Sequence, residues 1–270
     1  MPDGSPRAGG TLPISAHVLT LNAGRTLRRA LASVRRCAEI LVIDGGSTDD
    51  TLAIARECGA RVIPQGTAPG KRIEDFAAVR NRGLDAATQP WILALDSDEE
   101  LSEELQQEIA SLTRTAVGPA AYRVPRRYVL GNGTIIRHAT TYPNERIYFF
   151  HRNAATRWMK PVHERIGLRD GIPVRHLKGT SLAPLGTVAD YRKKAKLYLR
   201  IEKERSRGRG WGHWLRRRVF HTLRSRAFAF LKLLWIWLIP RKGKRLPLEQ
   251  EMIRFWYGWR LIVETCPLRK

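Results

Sequence analysis

The segment Trp91-Ile92-Leu93-Ala94-Leu95-Asp96-Ser97-Asp98-Glu99-Glu100 gives the clearest indication of the fold. An apolar run of strand length is followed by four acidic residues within five positions, as when a buried strand ends at the edge of a sheet. Two aspartates at such an edge, Asp96 and Asp98, can both reach one divalent cation, and hard oxygen ligands suit Mg²⁺ or Mn²⁺. The same residues also suit the acidic first turn of a helix over Ser97 to Glu104, so both interpretations stay open at this point.

Three further apolar runs precede this segment, and each is followed by a stretch with helical spacing. Strands are predicted at Ile14 to Leu21, Glu39 to Asp44 and Ala60 to Pro64, and helices at Leu27 to Val34, after the Ser47 to Asp50 cap, and at Phe76 to Ala87. This alternation predicts an α/β fold with a parallel sheet and crossover helices. Ligands of such sheets bind beyond the carboxyl ends of the strands, where Asn22, Asp44 and Asp96 fall.

Asp44 ends the second predicted strand and has two open interpretations. Its carboxylate can cap the turn made by Gly45-Gly46, because aspartate readily bonds its own turn backbone. It can also accept hydrogen bonds from a base or ribose, while Asp96 and Asp98 hold a metal and its phosphates. A nucleoside diphosphate needs both functions. The sequence has neither a Gly-x-Gly-x-x-Gly nor a Gly-x-x-x-x-Gly-Lys-Ser/Thr motif, so neither a dinucleotide fold nor a P-loop is supported.

The net charge of +23 is concentrated in the last third of the 270 residues. Residues 191–270 carry 23 Lys and Arg against 5 Asp and Glu, whereas residues 1–190 carry 25 against 20. The three cysteines show neither disulfide nor metal-ligand spacing, which fits a reducing cytoplasm. Residues 1–11 are rich in Gly and Pro and lack an apolar core, so we expect a flexible leader rather than a signal peptide.

Ordered blocks of this sequence resemble family 2 inverting glycosyltransferases with the GT-A fold. The blocks are Ile14 to Asn22, Val42 to Asp49, Arg80-Asn81 and Leu95 to Glu99, followed by Tyr122 to Arg127, Leu130-Gly131, Tyr142-Pro143 and Pro161 to Arg165. The longer series resembles the branch typified by lipopolysaccharide core β-1,4-glucosyltransferases. The resemblance implies a GT-A (Rossmann-like), mostly parallel sheet over 12–185, with a nucleotide-sugar-binding half at 12–100 and an acceptor half at 101–185.

The resemblance also implies a donor site at the carboxyl ends of the strands. Thr20, Asp44 and Arg80 are expected to line the nucleobase pocket. Asn22 is expected to contribute to nucleotide-sugar binding, and Asp96 to lie near the ribose and the metal.

A metal and a base complete the implied site. Asp98, with Asp96, would coordinate a Mg²⁺ or Mn²⁺ ion that bridges the diphosphate, while Glu99 and Glu100 are interpreted as loop or first-turn acids. Glu164 would deprotonate the acceptor hydroxyl, because direct displacement at the anomeric carbon needs a base opposite the departing nucleotide. His163 would assist as a metal or phosphate contact. The alternative for His163 and Glu164 is a turn pair or a surface ion pair with Arg165.

The sequence departs from the family pattern at three places. Ala23 stands where an acid usually follows the first-strand asparagine, and Leu182 stands near the expected position of a histidine. Tyr148 stands where an arginine is expected. The second departure bears on the metal shell, and the third bears on acceptor contacts.

The C-terminal region, 186–270, is predicted to be a basic amphipathic helical appendage. Six of the eight tryptophans lie between 211 and 260, interleaved with clusters of Arg and Lys, as in interfacial membrane segments. The most apolar run, 227–239, is shorter than the roughly 20 residues that span a bilayer, so we expect it to lie in or dip into the surface. The aromatic residues could instead form a core, and the basic residues could bind nucleic acid, which we rank below a membrane.

These observations predict an inverting hexosyltransferase that uses a nucleotide-diphosphate sugar and a glycolipid or cell-envelope polysaccharide acceptor. The enzyme is expected at the cytoplasmic face of the plasma membrane, bound to anionic lipid through 191–270 as a peripheral or monotopic protein. The alternative from another class is a catalytically weakened, membrane-associated sugar-nucleotide binder or scaffold.

Overall fold

A computed structural model describes residues 10–66, 75–160 and 164–268. The chain divides into two units by its internal contacts. The first unit comprises Met1–Arg127 and Pro143–Pro184, and the second comprises Tyr128–Tyr142 and Leu185–Lys270. Residues 128–142, which the sequence places in the acceptor half, therefore group with the C-terminal region.

Strands and helices alternate at the start of the first unit, as predicted. The strands are β1 (Leu12–Thr20), β2 (Cys37–Asp44), β3 (Arg61–Pro64), β4 (Trp91–Asp96), β5 (Glu100–Leu101), β6 (Ala121–Val129), β7 (Ile136–His138), β8 (Glu145–His151), β9 (Ala155–Met159), β10 (Arg165–Leu168), β11 (Val174–His176), β12 (Ser181–Pro184) and β13 (Lys244–Arg245). The helices are α1 (Gly24–Ser33), α2 (Thr51–Glu57), α3 (Phe76–Ala86), α4 (Glu103–Thr115), α5 (Val188–Ser206), α6 (Trp211–His213), α7 (His221–Leu238) and α8 (Leu248–Glu264).

The main sheet has the order β3-β2-β1-β4-β8-β6-β12-β5. The first four strands are parallel, and β8 joins β4 antiparallel, so the predicted mostly parallel α/β fold is confirmed. Strands β2 and β4 flank β1, and this change in strand order marks the usual ligand crevice. In register, Thr20 lies beside Asp44 and Leu19 beside Asp96, so these strand ends meet at one edge.

The interior of this sheet explains why its central strands are almost continuously apolar. Ile14, Val18 and Leu93 are at most 1% exposed, and Leu27 and Leu31 of α1 are equally buried. A parallel sheet covered by helices on both faces needs such strands. Burying each of these side chains contributes about 1.5–3 kcal/mol, which fixes β1 and β4 in the centre of the sheet.

The acidic segment after β4 is a turn followed by a short strand. Residues 97–98 form the turn, β5 begins at Glu100, and α4 begins only at Glu103. Ser102 caps α4 by accepting a hydrogen bond of 3.2 Å from the Leu105 amide. The interpretation of Ser97 to Glu104 as one acidic helix start is therefore wrong for Asp98, because the helix begins five residues later.

The second unit is mainly helical and contains a small core of its own. Ile136, Ala139, Tyr142 and Leu246 are buried together, and β7 pairs with β13. The carboxylate of Glu251, 1% exposed, accepts hydrogen bonds from the amide (2.7 Å) and hydroxyl of Thr140. These contacts explain why residues 128–142 group with the C-terminal helices. In the described part of the chain, each helix is too short or too polar to cross a membrane.

Candidate active site

The ends of β1 and β2 are joined through the carboxylate of Asp44, which is 6% exposed. One oxygen accepts from the Thr20 hydroxyl (2.9 Å) and the Ser47 hydroxyl (2.6 Å). The other oxygen accepts from the Gly46 and Ser47 amides, each at 2.8 Å. The contacts of Asp44 are those of the turn-capping interpretation, and this cap fixes the end of β2.

Asn22 holds the next stretch of this edge. Its backbone has a φ of 50°, in the left-handed region that asparagine tolerates better than most residues. Its side-chain oxygen accepts from the Thr48 backbone amide at 2.9 Å, and the backbone amide of Asn22 donates to the Ser47 hydroxyl at 2.8 Å. Asn22 therefore ties the loop after β1 to the loop after β2.

Arg80 brings two of the predicted site carboxylates together. Its guanidinium, 3% exposed, donates from Nε to Glu164 (2.9 Å) and from one terminal nitrogen to Asp96 (2.8 Å). Burial works to lower the pKa of Arg80, but Tyr148, Asp96 and Glu164 outweigh it and raise that pKa above its ordinary value. Arg80 therefore stays charged. Its second terminal nitrogen, Nη1, is buried and has no hydrogen-bond partner among the described residues.

The neighbouring Asn81 explains why the Arg-Asn pair occurs as a block. Its side chain accepts from the Trp158 amide (2.9 Å) and donates to the Trp158 carbonyl (3.0 Å). This fixes β9 so that the Trp158 ring lies 5.1 Å from the Arg80 guanidinium carbon, a cation–π contact. Asn81 thereby holds one wall around Arg80.

Arg146 supplies a guanidinium near the position where the sequence has Tyr148 instead of the expected arginine. The two residues lie on the same face of β8, two positions apart, and Arg146 donates to the Tyr148 hydroxyl at 2.6 Å. Arg146 also lies 3.6 Å from the second oxygen of Asp96. Burial raises the pKa of Tyr148 to about 12, so this residue stays a neutral phenol that accepts from two arginines.

Asp96 and Asp98 form the candidate cation site. Burial works to raise the pKa of Asp96, but Arg80, Arg146 and Arg126 outweigh it and hold that pKa below its ordinary value. Asp96 is therefore ionised, and Asp98 lies in the half-buried turn that follows. Within the described ranges, no three His, Cys, Asp or Glu side chains are grouped closely enough to hold a metal ion. Two carboxylates fit a Mg²⁺ ion that takes its remaining ligands from substrate phosphates and water.

Glu99 is a buried acid beside the candidate site, and its burial was not predicted from the sequence. It was interpreted as a loop or first-turn acid, but its side chain is 1% exposed, paired with Arg126 and bonded to the Ser181 hydroxyl at 2.6 Å. Burial and the nearby Asp96 raise the pKa of Glu99. Its partners lie 27 and 82 residues away in the sequence. The only sequence signal that could have identified Glu99 is its position beside the Asp-x-Asp pair.

The neighbouring Leu182 lies on β12, where it pairs with Glu100. Its aliphatic side chain has no atom that can ligate a metal, so the position of the expected histidine contributes nothing to a metal shell.

Replacing Glu99 with alanine is expected to lower the free energy of unfolding by about 3 kcal/mol, because Arg126 then loses its buried carboxylate partner. The matched control is Glu100→Ala. Glu100 pairs with Arg29 at the surface, with 27% and 54% of the two side chains exposed, and such pairs contribute about 0–1 kcal/mol. Urea unfolding of both variants measures the difference. Equal losses of stability would mean that the Glu99 ion pair is no stronger than a surface contact.

Glu164 is 13% exposed and pairs with Arg80, not with Arg165 as in the alternative drawn from the sequence. The proposed assisting residue His163 lies outside the described residues. Six predicted site residues thus form two groups at one sheet edge: Thr20, Asn22 and Asp44 in one, and Arg80, Asp96 and Glu164 in the other.

Comparison with known families defines the class of protein. The sequence profile of glycosyl transferase family 2 matches residues 15–167, more than half of the chain. The chain belongs to this family, which confirms the resemblance drawn from the ordered blocks.

Particular relatives match a shorter part of the chain. A lipopolysaccharide core biosynthesis glycosyltransferase, LpsC of Rhizobium meliloti, is 32% identical over 126 residues, 45% of each chain. A glycosyltransferase of Rickettsia felis is 41% identical over 97 residues, 36% of this chain and 32% of that one. The chain thus spans less than half the length of these curated relatives.

Solved structures are more distant. Glucosyl-3-phosphoglycerate synthase from Mycobacterium tuberculosis, in complex with Mn²⁺, UDP-glucose and phosphoglyceric acid, has a TM-score of 0.43 at 20% identity, covering 68% of this chain and 75% of that one. Staphylococcus aureus TarS 1–349 in complex with UDP-GlcNAc has a TM-score of 0.44 at 13% identity, covering 93% and 89%.

Proposed function

We propose that this chain transfers a hexose, with inversion, from a nucleotide-diphosphate sugar to a glycolipid or cell-envelope polysaccharide. The observation that carries the proposal is the position of Arg80 between two carboxylates with different expected roles. Asp96 ends the donor-side strand β4, whereas Glu164 precedes β10, and one buried guanidinium holds both. This brings a donor-side acid and a candidate base to one centre. Family membership supports the use of an activated sugar.

The donor would bind along the edge formed by β1, β2 and β4. Thr20, Asn22 and Asp44 would support the nucleoside, with the capped turn after β2 as its floor. Arg80 and Arg146 lie on the two sides of Asp96, where their positive charges favour an anionic diphosphate.

A divalent cation is proposed at Asp98, with Asp96 as a second ligand. When bound, it would act as a Lewis acid on the diphosphate leaving group. The principal ligand role is assigned to Asp98 because the family resemblance places the metal-coordinating aspartate at this position.

Glu164 is proposed as the base that takes the acceptor proton. Its contact with Arg80 Nε orients the carboxylate, and its partial exposure leaves room for an acceptor hydroxyl. Proton transfer by a positioned carboxylate accelerates such reactions by about 10²–10⁴-fold.

The proposal is tested with a panel of UDP-, GDP- and dTDP-sugars in the presence and absence of Mg²⁺ or Mn²⁺. Thermal stabilisation by one donor and release of its nucleoside diphosphate are expected, and both should need the cation. Stabilisation without turnover on any acceptor would instead favour the non-catalytic sugar-nucleotide scaffold.

The cytoplasmic membrane face is the proposed site of action. Four apolar side chains follow one another at helical spacing on α7 and are 50–75% exposed. They are Phe228, Leu231, Trp235 and Leu238. Lys232, the one charge in the apolar run, donates instead to the Tyr142 carbonyl within the same unit. An exposed apolar helix face beside basic clusters favours binding in the plane of an anionic membrane.

Replacing Leu231 and Leu238 with serine should weaken binding to anionic vesicles by about 30- to 1000-fold, since each leucine contributes about 1–2 kcal/mol when it leaves water. The matched control replaces Val117 and Val174, exposed valines of the first unit, with serine. Vesicle flotation of the full chain measures both. If the two double variants bind alike, the apolar face of α7 is not the membrane contact.

A further inference from the structure

A cavity of 570 Å³ in the second unit is surrounded by basic side chains. Its lining residues are Arg205, Arg209, His213, Arg217, Arg218 and His221. An adjoining cavity of 450 Å³ shares His213, Arg217 and His221 and adds Gly212 and Arg216. None of these described lining residues is acidic. The two cavities share three lining residues, and together they are called the cationic pocket.

Contacts with α5 hold part of the pocket in place. Glu202 of α5 pairs with Arg218 (2.6 Å) and with Arg205 (3.3 Å), and Arg218 also donates to the Ser206 hydroxyl at 3.0 Å. Within the described part of the chain, the Arg216 and Arg217 side chains form no ion pair or hydrogen bond. The cationic charge of the pocket therefore exceeds that of its single carboxylate partner.

The excess of positive charge affects the pKa of His213. Burial, followed by Arg209, Arg218 and Arg217, lowers the pKa of His213. Arg209 also lies 3.5 Å from the His213 ring nitrogen. The four arginines that line the larger cavity repel one another, and a further anion among them would relieve this repulsion, which points to a negatively charged ligand.

The backbone beside the pocket is unusual as well. Trp214–Phe220 forms seven residues of π-helix between α6 and α7. Such segments are rare, and they occur frequently at functional sites. This one carries Arg216, Arg217 and Arg218, so the irregular backbone and the cationic pocket coincide.

An apolar surface begins where the pocket ends. His221 lines the pocket and is the first residue of α7, and the neighbouring Phe220 and Leu223 are 60% and 55% exposed. A ligand that fits both features has an anionic head and an apolar tail. Arginine forks bind phosphoryl oxygens in pairs, so a phosphate is the anion that this pocket suits best.

We propose that the pocket binds the phosphate monoester head group of a lipid whose apolar part lies along α7. The proposal rests on the membrane contact proposed above and adds the chemical group that the protein recognises there.

The test compares binding of the full chain to two kinds of vesicle made from neutral lipid. One kind contains phosphatidic acid, a phosphate monoester, and the other contains phosphatidylglycerol, a phosphate diester, at equal total charge. We expect at least about fivefold tighter binding to phosphatidic acid, because charge-assisted hydrogen bonds to phosphate are strong. The variant Arg205→Gln/Arg209→Gln/Arg217→Gln should lose this preference. The control Arg192→Gln/Lys242→Gln/Lys244→Gln removes three exposed charges of the same unit and should keep it.

The outcomes separate this pocket from the membrane contact. Equal binding to both vesicles, or an equal effect of the two triple variants, would overturn the pocket and leave only general charge attraction. Failure to bind any anionic vesicle would overturn the membrane contact itself.

Inorganic pyrophosphate serves as the soluble probe, and binding as tight as that of phosphatidic acid vesicles would overturn the lipid assignment. Tighter binding of a single-stranded oligonucleotide, lost in the pocket variant, would assign the pocket to nucleic acid instead.

Discussion

Asp98→Asn is expected to lower kcat by about 10²–10³-fold in the presence of Mg²⁺ or Mn²⁺, because it removes the principal anionic ligand of the proposed cation. Asparagine keeps the size of the side chain, and Asp98 lies in a half-buried turn outside any helix, so the fold should be retained. Steady-state turnover of the donor found in the panel measures the effect. Raising the metal concentration should recover part of the activity.

The matched control is Asp85→Asn. Asp85 pairs with Arg157 at the surface, and the two side chains are 59% and 54% exposed. Removing this charge should change neither turnover nor metal dependence measurably. Unchanged turnover in Asp98→Asn would contradict the assigned metal role. Loss of activity together with loss of the cooperative thermal transition would show that the variant is unfolded.

Glu164→Gln is expected to lower kcat by about 10²–10⁴-fold while the KM for the donor stays within about threefold. Glutamine retains an oxygen that can accept from Arg80 Nε, now 2.9 Å from the carboxylate, so the position of Arg80 should be preserved. The loss should therefore lie in proton abstraction from the acceptor. Steady-state kinetics with donor and acceptor varied separately measure kcat and both KM values.

Glu145→Gln provides the control for this variant. Glu145 begins β8 in the same unit and is 22% exposed, with His176 at 2.9 Å as its partner. Its loss should leave kcat within about twofold, because it has no proposed role in proton transfer. Full activity in Glu164→Gln would remove Glu164 as the base. A raised donor KM with unchanged kcat would place Glu164 in the donor pocket instead.

The locations of the first four strands follow from local sequence, because each strand is an apolar run bounded by polar or turn-forming residues. The segment Trp91–Asp96 shows this directly, since its first five residues are buried and its last residue reaches the sheet edge. Asp44 and Asp96 were predicted at the ends of two strands of one sheet for the same reason. Parallel strands linked by helices bring their carboxyl ends to one edge.

Charge partners could not be read from the same pattern. Glu99 has the sequence context of an exposed acid, yet strand pairing of β5 with β12 brings Ser181 to it, and Arg126 reaches it from β6. Arg146 approaches Asp96 only because β8 lies beside β4. Burial and pKa depend on such partners far away in the chain, so composition and spacing do not encode them.

By itself, the sequence determined the α/β class, the family and the acidic edge, because these arise from apolar periodicity and from blocks of adjacent residues. Only the tertiary structure decided that Asp98 lies in a turn, that Arg80 links Asp96 to Glu164, and that residues 128–142 belong with the C-terminal helices. The physical reason is the range of the interactions. Strand formation is governed by neighbours in sequence, whereas ion pairs and burial are fixed by contacts between segments that fold together from distant parts of the chain.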